Sequence, residues 1–192
     1  RELAAKLREA FLEPLLRSLR IRRVLPYVRR HESCRLLDIG CGWDAKFLRE
    51  MEPYIASGVG VDFKAPKLVH GKIRTERLMI SDSLPYADDS FDLVTMLAVL
   101  ENLERPAAIL QEIRRLMKPG GELVVTVPSK AAQPVLEFLA FRLGVVSKEE
   151  IADHKAYFDR RSLTRLLSDA GYEVRVHRYF QLGMNNFCVA TI

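Results

Sequence analysis

The feature that most constrains the fold is an apolar segment at residues 35–39 that runs directly into a glycine-containing turn at residues 40–42. A helical pattern follows from residue 43 to about residue 51. Glycines at such a junction let backbone N–H groups approach a ligand closely, and the N-terminus of the helix favours an anion. The sequence therefore predicts a strand, a turn and a helix with a nucleotide-type site at the turn.

Further apolar segments alternate with helical patterns along the chain. The predicted strands lie at residues 58–62, 77–81, 91–97 and 122–127. The predicted helices lie at residues 106–117, 133–153 and 159–170, and residues 172–178 and 186–192 would pair as an antiparallel hairpin. Strands separated by helices of this length indicate a parallel sheet with helices on both faces.

The charge of the chain is concentrated at its beginning. The 192 residues carry 30 Lys and Arg against 25 Asp and Glu, a net charge of +5, and residues 1–30 alone hold nine basic and three acidic residues. An apolar stripe runs through the same segment at Leu3, Leu7, Phe11, Leu15 and Leu19. We predict that residues 1–33 form a basic amphipathic helical segment, interrupted at Pro14, that packs on a body formed by residues 34–192.

Several classes of protein are disfavoured by composition. No apolar run approaches the roughly 20 residues that span a bilayer, and the first residues lack the order of a secretory signal, so we expect a cytoplasmic protein. The three cysteines include no CxxC pair, which is typical of a reducing compartment. The four histidines show no metal-ligand spacing, and we predict no metal.

Five motifs in order identify a family resemblance. They are LDIGCG at residues 37–42, GVGVD at 58–62, DSLPYADDSFD at 82–92, VLENL at 99–103 and MKPGG at 117–121. Together they closely resemble the class I S-adenosylmethionine-dependent methyltransferases of the small single-domain type, similar to methyltransferase type 11, over roughly residues 34–192. The resemblance implies a Rossmann-like, doubly wound α/β fold with a seven-stranded, mostly parallel sheet and an antiparallel final strand. It also implies S-adenosylmethionine as cofactor and S-adenosylhomocysteine as product.

The resemblance assigns cofactor-binding residues by position. Around the methionine part it places Asp38, Gly40, Cys41 and Gly42. For the ribose hydroxyls it implies Asp62, and for the adenine it implies Phe63, Asp82 and Ser83. Near the sulfonium it places Met96 and Leu97. These positions agree with the general rule that open parallel sheets bind ligands at the carboxyl ends of their strands.

Two departures from the family pattern bear on the chemistry. Asp44 stands where the family has a third glycine, where it could cap the following helix or place negative charge near the cofactor carboxylate. Ala98 and Asn102 stand where many relatives carry histidine, so neither can take a proton. His154 and Tyr157 are the best candidates for a catalytic base if the acceptor must lose a proton.

The acceptor is predicted by class alone. A small-molecule, lipid or sugar-type acceptor fits best, with residues 133–158 as a lid that excludes water and the basic N-terminal segment available for anionic partners or peripheral membrane contact. Nucleic acid is disfavoured, because the Asn/Asp-Pro-Pro-aromatic motif is missing after the fourth predicted strand. The glycine turn followed by Asp62 also allows a nicotinamide-dependent oxidoreductase, and the departures allow a non-catalytic binding module. The oligomeric state is left open.

Overall fold

A central sheet organises the chain in the computed structural model, which describes residues 2–31, 33–80, 83–138 and 155–192. Within these ranges the strands are β1 (Cys34–Ile39), β2 (Ile55–Asp62), β3 (Leu68–His70), β4 (Ile73–Arg77), β5 (Phe91–Leu97), β6 (Met117–Pro128), β7 (Glu173–Phe180) and β8 (Asn185–Thr191). The helices are α1 (Glu2–Arg30), α2 (Lys46–Met51), α3 (Pro106–Leu116), α4 (Ala132–Phe138) and α5 (Arg160–Asp169). Short 3₁₀ turns occupy Glu52–Tyr54 and Leu100–Asn102.

The eight strands lie in the order β3-β4-β2-β1-β5-β6-β8-β7. Strands β4, β2, β1, β5 and β6 are mutually parallel, whereas β3 and β8 each run antiparallel to their neighbours. The chain builds outward from β1 on one side and then crosses back to start β5 on the other. The strand order therefore reverses between β1 and β5, which creates a crevice at their carboxyl ends.

Helices cover both faces of the sheet, as the sequence predicted. On one face, α3 and α5 pack on a cluster that includes Leu37, Ile39 and Val125. On the other face, α1 and α2 pack on a cluster that includes Leu36 and Val124. Neighbouring strand residues divide between the two clusters because successive side chains of a strand point to opposite faces. The predicted doubly wound α/β fold and its antiparallel final strand are confirmed.

The strand predicted at residues 77–81 is wrong over residues 78–80, which form no strand, while Arg77 ends the preceding one. The third parallel strand is β4, and it is preceded by β3, so the described residues form a sheet of eight strands where seven were predicted. Gly71, with a φ of 54°, turns the chain between β3 and β4. The apolar residues Leu78 and Ile80, which suggested a strand, pack against the edge of the core from a segment without strand pairing.

The N-terminal segment is one helix, and the predicted interruption at Pro14 is wrong. Helix α1 continues from Glu2 to Arg30. Its last half is anchored by Val24 and Val28, which are fully buried against the sheet, whereas Leu19 of the predicted stripe is exposed. A proline removes one hydrogen bond of a helix, a loss that tertiary packing elsewhere along the helix can offset.

The chain after β6 approaches the carboxyl edge of the sheet. Helix α4 is described up to Phe138, and the remainder of the predicted helix at 133–153 lies outside the described residues. Phe158 then pairs with Ser129 at the end of β6, and Asp159 caps α5 by accepting the Ser162 backbone N–H at 2.7 Å. The segment that leads into α5 is thereby fixed beside the ends of β5 and β6.

Candidate functional site

The glycine turn after β1 is held in a conformation that side chains disfavour. Gly40 has a φ of 78°, and a Cβ atom there would lie 2.2 Å from Cγ2 of Val99. Gly42 has a φ of 71°, but the space around its missing Cβ is empty to 4 Å. Gly40 is therefore required by both conformation and packing, whereas Gly42 leaves room beside the backbone at the switch point.

The Asp62 carboxylate, at the end of β2, is hydrogen-bonded to the backbone of this turn. Its Oδ2 atom accepts the Gly42 N–H at 3.1 Å, and its Oδ1 atom accepts the Lys64 N–H at 2.7 Å. The Gly40 N–H bonds to the backbone oxygen of Val61 at 2.8 Å, which ties the turn to the same strand end. A carboxylate can accept about four hydrogen bonds, so Asp62 retains capacity for two ligand hydroxyls.

Asp38 lies in the crevice beneath the turn. Its side chain is 2% exposed, and Oδ1 accepts the Thr95 hydroxyl from β5 at 2.6 Å. Burial raises the pKa of Asp38 to about 7, the Thr95 hydrogen bond opposes this, and the charge of Asp62 adds to it. A carboxyl with a raised pKa in a crevice is a feature of functional sites, and a bound cation would favour its ionised form.

Cys41 is buried between the turn and β2. Its Sγ atom lies 2.8 Å from the position that a Cβ atom on Gly60 would take. Burial raises the pKa of its thiol, and the charges of Asp38 and Asp62 raise it further. A thiol that keeps its proton is a packing group, so Cys41 contributes shape and backbone to the site rather than a nucleophile.

The other predicted cofactor residues occupy different surroundings. Phe63, just after β2, is 52% exposed, and Nζ of Lys64 lies over its ring at 4.9 Å from the centroid. Met96 is fully buried in the core, whereas Leu97, the last residue of β5, is half-buried on the α1 side. Ser83 is exposed, and Asp82 lies outside the described residues.

Of the two predicted catalytic bases, the structure describes one. Tyr157 is half-buried in the segment that leads into α5, and His154 lies outside the described residues. The segment is joined to the turn after β5, because the N–H groups of Lys155 and Ala156 donate to the carbonyl oxygen of Glu101 at 2.8 and 3.2 Å.

Asp44 does not cap the helix that follows it. The residue at the N-cap of α2 is Ala45, which has a φ of 47° and makes no side-chain cap. The Asp44 carboxylate instead lies 3.0 Å from Nζ of Lys46. Its negative charge is thereby offset locally, which weakens the argument that it would repel a cofactor carboxylate.

Glu101 is a candidate site residue that the sequence reasoning missed. It lies in the 3₁₀ turn after β5 and is 1% exposed, and its Oε2 atom has no hydrogen-bond partner among the described residues. Burial raises the pKa of Glu101 to about 7, while its own backbone N–H and the charge of Arg20 on α1 act in the opposite direction. The sequence carries one signal for this residue, its place as the third residue of the VLENL motif at 99–103.

The residues at this edge fit a cationic nucleoside cofactor. Asp62 offers acceptor atoms for two neighbouring hydroxyls, and Asp38 offers a buried carboxyl group that a bound cation would keep ionised. Gly42 leaves open space where the chain turns away. A doubly wound sheet with this turn and acid at its switch point defines a Rossmann-like cofactor-binding fold.

A comparison with protein-family models gives the family. The model of the methyltransferase domain matches residues 2–177, and the chain belongs to that family. It is thus placed among the class I S-adenosylmethionine-dependent methyltransferases, whose cofactor is S-adenosylmethionine and whose product is S-adenosylhomocysteine. This confirms the resemblance inferred from the motifs and favours it over the oxidoreductase alternative.

Curated relatives are similar at modest identity. A demethylmenaquinone methyltransferase of Corynebacterium kroppenstedtii is 34% identical over 132 residues, which cover 60% of this chain and 58% of the relative. One of Paenarthrobacter aurescens is 30% identical over 172 residues, covering 78% and 66%. The chain spans about half the length of the first curated relatives it matches.

A solved structure supports the fold over nearly the whole chain. The methyltransferase bound to the Trm112 activator of Haloferax volcanii superposes with a TM-score of 0.73 and 18% identity, covering 99% of this chain and 96% of that one.

Across the part of the chain that the structure describes, no helix has both the length and the apolar character that crossing a bilayer requires.

Proposed function

We propose that the protein transfers a methyl group from S-adenosylmethionine to a ring carbon of a quinone-type small molecule in its reduced, hydroxylated form. The observation that supports the proposed cofactor is the position of the Asp62 carboxylate, which two backbone N–H groups hold at the switch point. The proposed acceptor is supported by the names of the curated relatives, which specify a demethylmenaquinone methyltransferase and a C-methyltransferase of ubiquinone and menaquinone biosynthesis.

The assignment of cofactor contacts is part of this proposal. Asp62 would hold the ribose hydroxyls, Phe63 would flank the adenine, and Asp38 with the turn of residues 40–42 would surround the methionine part. Asp82 and Ser83 would meet the adenine edge, and Leu97 would lie near the sulfonium with Met96 packed behind it. When bound, the cofactor supplies an activated methyl group, so the protein's contribution is alignment of the acceptor and exclusion of water.

The test is a transfer assay with defined acceptors. The protein is incubated with S-adenosylmethionine and, separately, a reduced unmethylated naphthoquinone, a reduced benzoquinone and a hydroxylated sugar, and products are identified by mass spectrometry. We expect a ring-methylated quinol and S-adenosylhomocysteine in equal amounts. Methylation of the sugar alone would contradict the acceptor class.

A non-catalytic module is the second candidate, because Ala98 and Asn102 bring no titratable side chain to the turn after β5. Its signature would be tight binding of S-adenosylhomocysteine by a protein that methylates none of the acceptors. Calorimetric binding measured on the same preparation separates this outcome from a protein that has lost its fold.

A further inference from the structure

Three side-chain oxygen atoms are buried without a hydrogen-bond partner among the described residues. They are Oε2 of Glu101, Oδ1 of Asn102 and Oγ1 of Thr126. An unpaired buried polar atom costs about 1–3 kcal/mol, so native proteins retain few of them. Those that persist are commonly explained by a ligand, a water molecule or a catalytic role.

The residues that carry these atoms lie on segments joined at the ends of β5 and β6. Thr126 on β6 pairs in register with Leu97, the last residue of β5, and its carbonyl oxygen accepts the Ala98 N–H at 2.9 Å. The 3₁₀ turn that carries Glu101 and Asn102 follows directly. Thr126 alternates along β6 with Val125, which packs on the α3 face, so the Thr126 side chain is on the face that α1 covers.

The turn is held firmly, which makes Glu101 a positioned group rather than a mobile one. Its carbonyl oxygen receives two N–H groups from the segment that leads into α5. Arg20 of α1 acts electrostatically on its carboxylate. The nearby Lys155 side chain is engaged with Glu104 at 2.9 Å and does not neutralise Glu101. Glu101 is thus a buried acid whose Oε2 atom has no hydrogen-bond partner among the described residues and whose pKa is raised to about 7.

We propose that Glu101 is the proton acceptor of the methyl-transfer site and that its Oε2 atom binds the ring hydroxyl of an aromatic acceptor. This inference rests on the proposed function, because it requires a hydroxylated ring. It replaces the base that Ala98 and Asn102 cannot supply.

The electron movements of the step balance without a further reactant. The O–H bond breaks, its proton passes to Oε2, and the electron pair of the oxygen moves into the ring. The ring carbon forms a bond to the methyl carbon while the methyl–sulfur bond breaks, with its electron pair remaining on sulfur. The proton on that ring carbon then leaves to water, the electron pair of the broken C–H bond restores the aromatic ring, and Oε2 returns its proton to the ring oxygen.

A binding experiment tests Glu101 without any turnover. The full chain loaded with S-adenosylhomocysteine is titrated with 2-naphthol and with 2-methylnaphthalene, for the wild type and for Glu101→Gln, at about pH 6 and about pH 8. A hydrogen bond to a charged group is worth about 1.5–3 kcal/mol, so the wild type should prefer the hydroxyl compound by about 10-fold or more at the higher pH. The preference should shrink at the lower pH and in Glu101→Gln. Equal binding of the two compounds by the wild type, or an undiminished preference in Glu101→Gln, would overturn the proposal.

Turnover gives the second readout. With saturating cofactor and a quinol, Glu101→Gln should lower kcat by about 100-fold or more while leaving affinity for S-adenosylhomocysteine unchanged. The matched control is Glu104→Gln, because Glu104 lies on the same segment with a side chain that is 82% exposed, and kcat should be retained. A Glu101→Gln variant with normal kcat overturns the proposal. A hydroxyl preference that depends on Glu101 in a protein that methylates no quinol would refute the proposed function and the proton transfer, whereas the binding of a ring hydroxyl by Glu101 would stand.

Discussion

Replacing Asp38 by asparagine should stabilise the protein, and the gain should grow with pH. Burial raises the pKa of Asp38 from its ordinary value near 3.8 to about 7. Between these values the folded chain keeps a proton that the unfolded chain has lost, so stability from this group is lost as pH rises through about 7. Each pKa unit corresponds to about 1.4 kcal/mol, so the ionised carboxylate costs up to about 4 kcal/mol at about pH 8. Asparagine never ionises and retains an oxygen to accept the Thr95 hydroxyl.

Urea unfolding followed by circular dichroism, at about pH 5 and about pH 8, measures the effect. The stability advantage of Asp38→Asn over the wild type should increase by about 2–3 kcal/mol between the two conditions. The control is Asp169→Asn, whose side chain is 73% exposed and should change stability by less than about 0.5 kcal/mol at either pH. An advantage that is the same at both values of pH would refute the assignment of a raised pKa. The same variant should bind the cationic cofactor more weakly, because it removes a negative charge from the crevice.

Three further predictions concern the site and the strands that support it. Asp62→Ala should weaken S-adenosylhomocysteine binding by about 10-fold or more in calorimetry with unchanged far-ultraviolet circular dichroism, and unchanged affinity would contradict the pocket assignment. Gly40→Ala should lower the free energy of unfolding in urea by about 2–4 kcal/mol, because Gly40 has a positive φ and a Cβ atom there would meet Val99. Gly42→Ala, which has the positive φ without the contact, should lower it by about 1 kcal/mol. Equal losses would refute the packing argument. Glu122→Gln should lower stability by about 1 kcal/mol and reduce hydrogen-exchange protection at the end of α1, to which Glu122 is ion-paired, and full protection would show that the pair is dispensable.

The central strands could be predicted from sequence because each one is marked by its own run of apolar residues. Strands β1, β2, β5 and β6 are buried on both faces, and such strands appear as continuous apolar runs between turns. The edge strand β3 is exposed along its length, and β4 next to it alternates, so neither carries that signal. The apolar run at 77–81 resembles a strand more than the sequence of β4 does. The sequence misleads here because the pairing of a strand at a sheet edge depends on its neighbours in space.

Part of the candidate site could likewise be predicted from the sequence, and part could not. Asp38, the glycine turn and Asp62 follow from motif and strand position, and the structure brings them together at the switch point. The burial of Glu101 could not be predicted, because it depends on α1 and on the segment before α5, which are distant in sequence. Asp92 and Lys118, from two of the recognised motifs, prove to pair with each other at 2.6 Å and so join the beginnings of β5 and β6 rather than bind a ligand.

The central claim is that the carboxyl edge between β1 and β5 is a site for S-adenosylmethionine. A thermal-unfolding comparison of the protein with S-adenosylmethionine, S-adenosylhomocysteine, NAD and NADP tests it most directly. A ligand at about 100 times its dissociation constant adds roughly 2.7 kcal/mol of stability, which is a shift of several degrees for a chain of this size. The account predicts stabilisation by the two sulfur compounds and none by the nicotinamides. Stabilisation by NAD or NADP, or by none of the four, would contradict it.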